Sequence, residues 1–511
     1  MNTKSQKTEP GESSRDESFK AAAVFSGVRW TSAGQIALES IRVLVSVVLA
    51  RLLAPADFGL VSMGMVVTGF LVVIQYLGTS GVIIQRKDLP DRLLSSLFWL
   101  NAGFGLVLTI GLFAAADPLS QLFHRSDVAP IIRVLGVSFI VTAVGAVPSA
   151  LLNRRMQFDV IAKVSFVAAI FQAITGVGMA YAGYGPWALV ISTLVSSVVS
   201  SVGYWSMTHW FPSFTFDWPA IKSHGRMMTN LTFGNLVAYM VNDADKFIIG
   251  RWLGDVSLGY YTMASRFCLY PPHTIVPIVT RVLYPSYSRL QDDDESMQRL
   301  MLRASGGIAF ITMPLMIGLV VLSAPFVHVV LSDKWQAAIE LIALLAPIGI
   351  LQSISSGSNG VMLAKDKTHW VFWTSSIRGA ATILALMIGI PWGLRGVAIA
   401  YLAVSVPLSM LSYLVAGRLI NMPFWKPYLG LRPYFMGSLV MAAVAIGVKF
   451  SFEQLGLPML AQLVCASIAG AITYIVMMLW LRPPAVLDFI RVLPTGISKL
   501  LPAKVVQSLQ Q

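Results

Sequence analysis

Uninterrupted apolar runs, each long enough for a helix to cross a lipid bilayer, recur along almost the whole chain. Inside a bilayer every backbone amide must find its hydrogen bond within the protein, so a run of roughly 20 apolar residues folds as a helix. Charged residues make up only 12% of the sequence, whereas a soluble domain carries about 25%. The sequence therefore predicts an all-α polytopic membrane protein.

Polar turns separate the runs into fourteen predicted transmembrane helices. The predicted spans are residues 30–53, 58–84, 93–116, 128–152, 160–182, 186–208, 229–253, 258–287, 301–331, 337–363, 369–391, 395–417, 432–451 and 459–481. An even number of spans places both termini on the same side of the membrane. We see no pattern of a cleavable signal peptide before the first span.

Positive charge is distributed unevenly between the two sides of the predicted membrane. With the N-terminus in the cytoplasm, 25 Lys and Arg residues fall in cytoplasmic segments, and 7 fall on the opposite side or its margins. Because cytoplasmic loops are enriched in Lys and Arg, both termini are predicted to be cytoplasmic. The same loops account for the net charge of +13, so we do not expect nucleic-acid binding.

The two halves of the chain share a pattern at an offset of 200 residues. Segments 51–63 and 251–263 carry Arg, Leu, Gly and Met at equivalent positions, and each half contains six predicted spans. Six is even, so the halves have the same orientation and are related by an axis along the membrane normal. We predict two six-helix repeats around a central cavity, plus two C-terminal helices. The corresponding segments are a disordered cytoplasmic tail (1–20), an N-lobe (21–210), an interfacial linker (211–228), a C-lobe (229–418), spans thirteen and fourteen (419–482) and a cytoplasmic amphipathic tail (483–511).

A polar stripe runs along the first span, and the seventh span carries one at the equivalent positions. The stripes consist of Gln35, Glu39, Arg42 and Ser46, and of Asn235, Tyr239, Asn242 and Lys246. Spacings of three and four residues place each set on one helical face. Polar side chains at membrane depth must face protein or water, so the stripes line either a central cavity or a seam of interhelical hydrogen bonds.

Three ionisable residues, Asp243, Asp245 and Lys246, lie close together near the end of the seventh span. Each costs at least about 2.5 kcal/mol at the membrane centre, unless the helix ends here and places them at the interface. Asp243 and Lys246 can pair along the helix. Asp245 points about 100° away from Lys246 and needs another partner.

Cations within the later spans are concentrated in the second half of the chain. They are Lys246, Arg266, Arg281 and Arg378, with Tyr270 and His273 near Arg266. Each either extends toward an interface or faces a hydrated cavity, where a guanidinium suits a phosphate. We predict that one central cavity binds substrate through Arg42, Lys246, Arg266, Arg378, Gln35 and Asn242, while Glu39, Asp243 and Asp245 position the cations or carry a coupling ion.

The sequence lacks the motifs of several other activities. It has no G-x-x-x-x-G-K-[ST] loop for ATP and no His/Glu pattern of a zinc site. No predicted loop is long enough to hold a catalytic domain. The sequence therefore favours a transporter without cofactors over an enzyme, with H⁺ or Na⁺ as the candidate coupling ion.

Six short segments carry a familiar combination of residues. They are Ser26–Trp30, Arg51–Gly59, Gly78–Gly81 with Gln85, Asn153–Phe158, Gly185–Ala188 and Asp243–Arg251. In these segments the chain resembles bacterial polysaccharide exporters and flippases of the multidrug/oligosaccharidyl-lipid/polysaccharide superfamily, and above all the exopolysaccharide and colanic-acid-type exporters. The resemblance covers roughly residues 20 to 420.

The resemblance implies a flippase that moves polyprenyl-diphosphate-linked oligosaccharide from the cytoplasmic to the outer leaflet by alternating access. Its implied partners are undecaprenyl-diphosphate-linked oligosaccharide, the lipid bilayer, and a polysaccharide polymerase with its export machinery. A cation-coupled drug antiporter of the same superfamily is the alternative, although it would favour an acidic, aromatic cavity. A membrane glycosyltransferase is a third interpretation, and it would need catalytic residues in a sizeable outer loop.

Overall fold

The structure is a computed structural model, which describes residues 34, 38–75, 78–86, 88–269, 276, 283 and 286–486. All regular elements within these residues are helical. Ten helical stretches among them are long and apolar enough to cross a membrane, and two of the ten, Ala338–Ala364 and Thr368–Leu419, each comprise two helices. The prediction of an all-α polytopic membrane protein is confirmed. The predicted N-terminal tail, most of the C-terminal tail, Gln35, Tyr270, His273 and Arg281 lie outside the described residues.

The helices follow the predicted spans closely. The first half contains α1 (38–52), α2 (Pro55–Gln75), α3 (Thr79–Gln85), α4 (Asp91–Gln121), α5 (Val128–Arg154), α6 (Phe158–Tyr181) and α7 (Trp187–Thr208). The second half contains α8 (Trp218–Cys268), α9 (Asp294–Val321), α10 (Ser323–Phe326), α11 (Ala338–Ser355), α12 (Gly357–Ala364), α13 (Thr368–Gly389) and α14 (Gly393–Leu419). Two further helices, α15 (Lys426–Gln454) and α16 (Met459–Leu481), pack against each other and against α9.

The start of α8 differs from the predicted interfacial linker. The Asp217 carboxylate accepts a hydrogen bond of 3.0 Å from the backbone N–H of Ala220, and Pro219 occupies the first turn. Both features favour helix initiation. The chain is therefore already helical from Trp218, and the second part of the predicted linker belongs to α8. This helix covers the seventh predicted span and residues 258–268 of the eighth, and it bends at Gly254, whose φ of 82° an L-residue rarely adopts.

The ninth predicted span, residues 301–331, also differs from the structure at both ends. Asp293 accepts a hydrogen bond from the backbone N–H of Ser296, so α9 begins at Asp294 rather than at residue 301. The helix ends at Val321, and α10 and a single π-helical turn, Val327–Leu331, follow it. This turn replaces the predicted end of the span and brings its carbonyl groups to the seam between the two lobes.

The predicted repeat is visible in the contact between α2 and the second part of α8. A Cβ added at Gly59 would lie 1.8 Å from the carbonyl oxygen of Asp255, and one at Gly259 would lie 1.9 Å from the carbonyl oxygen of Pro55. The two contacts exchange equivalent residues of the two halves, as a two-fold axis requires. The predicted equivalence of segments 51–63 and 251–263 is therefore confirmed at this seam.

One end of the seam is sealed by contacts that cross between the lobes. Arg51 donates a hydrogen bond of 3.0 Å from Nε to the carbonyl of Val330, and a second bond to the carbonyl of Val329. At the equivalent position Arg251 Nη1 lies 2.6 Å from His124 Nδ1. Each lobe thus reaches across to a turn of the other lobe.

Trp335 fills the same end of the seam. Its side chain is fully buried, and its Nε1 donates a hydrogen bond of 2.8 Å to the carbonyl of Ala50. Its ring stands edge-on to Phe58 of the N-lobe at a centroid distance of 5.3 Å. An aromatic residue of the C-lobe therefore packs between α1 and α2 and excludes water there.

The opposite end of the seam is less tightly packed. On α1, Leu49 and Ala50 are buried, whereas Arg42 is exposed. On α8, Ile249 is buried, whereas Asn235 is exposed. The lobes are thus in close contact at one end, and the polar stripes lie toward the other.

Candidate substrate cavities

A polar cavity of about 200 Å³ lies where α1, α2, α6, α7 and α8 meet, and we call it the central cavity. Its lining includes Arg42 from the N-lobe and Arg266 from the C-lobe. Gln172, Ser62 and Thr262 also face it. Two of the predicted substrate-binding cations therefore come from different lobes and face one space, an arrangement that suits an anion held between the lobes.

Arg42 is held in place by a neighbour on the same helix. Its Nη1 donates a hydrogen bond of 2.8 Å to Glu39 Oε1, and the Arg42 side chain remains 46% exposed. Ser46 donates to the Arg42 carbonyl at 2.6 Å. Arg42 and Ser46 of the predicted stripe therefore line the cavity, and the hydrogen bonds named here form within α1 and not between helices. A pair this exposed is weak, and an anion can compete for the guanidinium.

An apolar groove of about 680 Å³ lies between α8, α9, α15 and α16. Phe310, Pro314, Met441 and Ile475 are among the residues that line it. Arg266 lines this groove as well as the central cavity. One cation therefore stands where a polar space and an apolar space meet.

Asp243, Asp245 and Lys246 separate onto different sides of α8. Lys246 Nζ lies 2.5 Å from Asp243 Oδ1, which is the predicted pair along the helix. Asp245 is buried and accepts hydrogen bonds from the Tyr261 hydroxyl at 2.6 Å and from the Lys246 backbone N–H at 2.8 Å. Tyr261 is thus the further partner that the sequence predicted Asp245 to need.

A second polar cavity, of about 680 Å³, lies inside the C-lobe between α8, α11, α12, α13 and α14, and we call it the C-lobe cavity. Asn242, Asp245 and Arg378 line it. Arg378 Nη2 donates a hydrogen bond of 2.8 Å to the Ser412 hydroxyl. Most other lining side chains carry hydroxyl or amide groups.

The expectation that all four cations line one cavity is wrong for this conformation. Arg42 and Arg266 face the central cavity, Arg378 faces the C-lobe cavity, and Lys246 contacts Asp243. The physical reason is that α8 lies at the seam and has a neighbour on both sides. Asp243 faces a mostly apolar cavity between α2, α4, α8 and α13. The roles assigned to these residues stay predictions.

Two groups of residues were missed by the sequence analysis. Trp335 and His124 seal the seam, but each lies in a turn outside the polar stripes, and no spacing rule connects them to it. The hydroxyl lining of the C-lobe cavity left a clearer signal, because small polar residues cluster inside otherwise apolar spans. Two such clusters are 353–358 and 374–376, which contain Ser355, Ser356, Thr374, Ser375 and Ser376.

The two-lobed bundle of apolar helices is a fold that known membrane transporters share. It matches the lipid II flippase MurJ in an inward closed conformation with a TM-score of 0.72, at 17% identity, over 88% of this chain and 98% of that one. It also matches an inward-facing multidrug resistance MATE family transporter of the MOP superfamily, with a TM-score of 0.60, at 16% identity, over 76% and 98% of the two chains. These likenesses define the fold.

The chain belongs to the polysaccharide biosynthesis protein family, whose sequence profile matches residues 48–340. It is 27% identical to the lipopolysaccharide biosynthesis protein WzxC of Escherichia coli, over 83% of this chain and 88% of the relative. The teichuronic acid biosynthesis protein TuaB of Bacillus subtilis is 26% identical, over 90% of this chain and 96% of the relative. The succinoglycan biosynthesis transport protein ExoT of Rhizobium meliloti is 27% identical, over 90% of this chain and 93% of the relative. The family resemblance recognised in the sequence is confirmed.

Proposed function

We propose that this protein is a flippase that translocates a polyprenyl-diphosphate-linked oligosaccharide across the bacterial inner membrane for polysaccharide biosynthesis. The fold does not distinguish this function from drug transport, because both kinds of transporter share it. Family membership and relatives named for lipopolysaccharide, teichuronic acid and succinoglycan biosynthesis favour the lipid-linked substrate over a drug. Undecaprenol is the carrier lipid that we expect.

The observation that carries the proposal is the position of Arg266 between the central cavity and the apolar groove. A lipid-linked oligosaccharide has a diphosphate between a long apolar chain and a polar sugar. A diphosphate cannot enter hydrocarbon unaccompanied, because the loss of its water costs far more than dispersion contacts return. Arg266 and Arg42 offer guanidinium groups to the diphosphate, while the groove offers apolar surface to the chain.

The two-fold seam supports alternating access as the mechanism. In the orientation that the Lys and Arg distribution predicts, the end sealed by Arg51, Arg251 and Trp335 faces the periplasm. The polar stripes then lie toward the cytoplasm, where the substrate is assembled. Translocation requires that the sealed end opens and the other end closes around the bound diphosphate.

The driving force is part of the proposal. Glu39, Asp243 and Asp245 are the carboxylates within the described spans that lie next to the predicted cations, and each is a candidate carrier of H⁺ or Na⁺. Binding of a coupling ion would change the charge that opposes a neighbouring guanidinium or ammonium group. An ion gradient would thereby bias the binding and release of the substrate anion.

A translocation assay tests the proposal. The purified protein is reconstituted into liposomes that contain a polyprenyl-diphosphate-linked disaccharide with a fluorophore on its sugar, and an impermeant quencher is added outside. We expect the protected inner-leaflet fraction to disappear over time only in vesicles that contain the protein. Protein-dependent uptake of a cationic dye, without movement of the lipid-linked sugar, would instead assign the chain to the drug antiporters.

A further inference from the structure

Arg378 differs from the other predicted cations in its surroundings. Arg42 pairs with Glu39, and Lys246 pairs with Asp243. In the part of the chain that the structure describes, no carboxylate lies within ion-pair distance of Arg378, and its one hydrogen bond goes to a neutral hydroxyl, that of Ser412. A guanidinium has five N–H donors, so most of its donors remain for a ligand.

The cavity that Arg378 faces is chemically suited to a sugar. Serine, threonine, asparagine and glutamine side chains of five helices line it, and its volume of about 680 Å³ lies in the usual range for small-molecule sites. Several hydroxyls donate to their own helix backbone, as Ser405 does to Tyr401 and Thr374 does to Trp370. Their oxygen lone pairs remain free to accept hydrogen bonds from the hydroxyl groups of a saccharide.

The charges of the cavity suit an anion that carries a single negative charge. Arg378 is the only cation that lines it among the described residues, and Asp245 is its only carboxylate. Asp245 already accepts hydrogen bonds from Tyr261 and from the backbone of Lys246. A diphosphate would bring at least two negative charges toward one cation and one carboxylate, whereas the central cavity offers two cations. A sugar carboxylate needs only one guanidinium, which it can bind through two parallel hydrogen bonds.

We propose that the C-lobe cavity is a saccharide subsite, separate from the diphosphate site, which selects an acidic sugar of the oligosaccharide through Arg378. This inference rests on the proposed flippase function and adds a division of labour to it. Arg42 and Arg266 hold the part common to all lipid-linked sugars. Arg378 determines which oligosaccharides are accepted.

A matched pair of ligands tests the subsite. One is a polyprenyl-diphosphate-linked disaccharide that ends in glucuronic acid, and the other is the same molecule with its carboxylate reduced to an alcohol. Dissociation constants are measured with the purified full chain in lipid nanodiscs. We expect the wild-type protein to bind the acidic ligand about tenfold or more tightly than the reduced one, as a charge-assisted hydrogen bond typically provides.

Substitutions at Arg378 test whether this residue causes the preference for the acidic ligand. Arg378→Gln should weaken binding of the acidic ligand far more than binding of the reduced ligand, so that the preference is lost, and Arg378→Lys should retain part of the preference. Arg395→Gln is the control, because Arg395 pairs with Glu340 at an exposed position and should leave both affinities unchanged. Thermal unfolding of each variant verifies that it is folded.

The outcomes separate the subsite from the overall function. If Arg378→Gln keeps the full preference, or weakens the binding of both ligands equally, Arg378 does not select the acidic sugar. If the wild-type protein binds both ligands equally well, the subsite is wrong but the flippase function stands. If the folded wild-type protein binds neither ligand, the proposed function itself fails, and the subsite with it.

Discussion

The hydroxyl oxygens of Ser62 and Thr262 lie 3.3 Å apart, although 200 residues separate them along the chain. They are equivalent positions of the two repeats, so their contact lies close to the local two-fold axis. On either side of this axis, Gly59 contacts the backbone of Asp255 and Gly259 contacts the backbone of Pro55. Because the contacts at this end come in equivalent pairs, a rocking of the lobes must break both members of each pair together.

Replacing Gly59 by Ala should separate the lobes at the sealed end. The added Cβ would lie 1.8 Å from the Asp255 carbonyl oxygen, and neither backbone can move without shifting a helix. Overpacking of this kind costs about 1–3 kcal/mol, which favours the open form of the seam by roughly tenfold. Distances between spin labels on α2 and α8, measured by pulsed electron paramagnetic resonance, should move to longer values.

A matched control exists on another membrane helix. Gly111 lies in α4, where an added Cβ meets no atom within 4 Å, so Gly111→Ala should leave the distances unchanged. Gly259→Ala should reproduce the effect of Gly59→Ala, because the two positions are equivalent. Unchanged distances in both seam variants would contradict the close backbone approach.

Arg51→Ala should loosen the sealed end. The substitution removes hydrogen bonds to two carbonyl groups, those of Val329 and Val330, and each bond contributes about 1 kcal/mol. Arg51→Lys should keep the end sealed only in part, because a lysine ammonium group lacks the forked guanidinium geometry that donates to two carbonyl groups at once. The readout is the labelling of a cysteine at Gln172, in the central cavity, by an impermeant thiol reagent added from the periplasmic side.

The labelling experiment needs a background without reactive thiols and a comparison within one lobe. Cys268 and Cys465 are first replaced by Ala. Arg133 pairs with Asp117 at 2.6 Å, and no hydrogen bond of this pair crosses the seam. Arg133→Ala should therefore leave labelling at the wild-type level. Faster labelling in Arg133→Ala than in Arg51→Ala would show that the seal does not depend on the bonds that cross it.

The sequence predicted the helices better than their ends. Hydrophobic length determines where a chain is membrane-embedded, so the predicted span 459–481 coincides with α16. The start of α8 was missed because it depends on local capping by Asp217, and the aromatic residues around it concealed that signal. The repeat was predictable because equivalent residues must meet the same packing constraint, as Gly59 and Gly259 do.

The grouping of the site residues was harder to predict. Helical spacing placed Asn242 and Lys246 on one face of the seventh span. In the structure Asn242 faces the C-lobe cavity, whereas Lys246 contacts Asp243, which faces the cavity toward α2 and α4. A helix at the seam between two lobes presents polar residues on more than one side, and only the tertiary packing decides which cavity each side joins.

Arg266→Gln should strongly reduce translocation of the lipid-linked disaccharide while leaving the protein folded. The variant loses the positive charge at the junction of the central cavity and the apolar groove. It therefore loses a charge-assisted hydrogen bond to phosphate, which should lower the affinity for the substrate roughly tenfold or more. Arg42→Gln should act in the same direction, and Arg299→Gln, at an exposed pair with Glu295, should have no effect. Initial rates in the quenching assay provide the comparison. Wild-type rates in both cavity variants would remove the basis for diphosphate binding there.

Asp245 is the buried carboxylate whose charge state we expect to respond to a coupling ion. Its side chain is largely excluded from water and is held by the Tyr261 hydroxyl and by the backbone N–H of Lys246. A buried carboxylate is costly unless its charge is compensated, so binding of H⁺ or Na⁺ would stabilise it. Asp245→Asn has nearly the same shape and carries no charge in any conformation.

We therefore expect Asp245→Asn to uncouple transport from the ion gradient without abolishing substrate binding. In proteoliposomes, an imposed pH or Na⁺ gradient should accelerate translocation by the wild-type protein, and the same gradient should leave the rate of the variant unchanged. Asp117→Asn serves as the control, because Asp117 is 66% exposed in its surface pair with Arg133 and should keep the wild-type response. If Asp245→Asn responds to the gradient as the wild type does, the coupling ion binds elsewhere, and Glu39 and Asp243 become the positions to substitute. If the variant loses binding of the lipid-linked sugar as well, Asp245 shapes the cavity rather than carrying the ion.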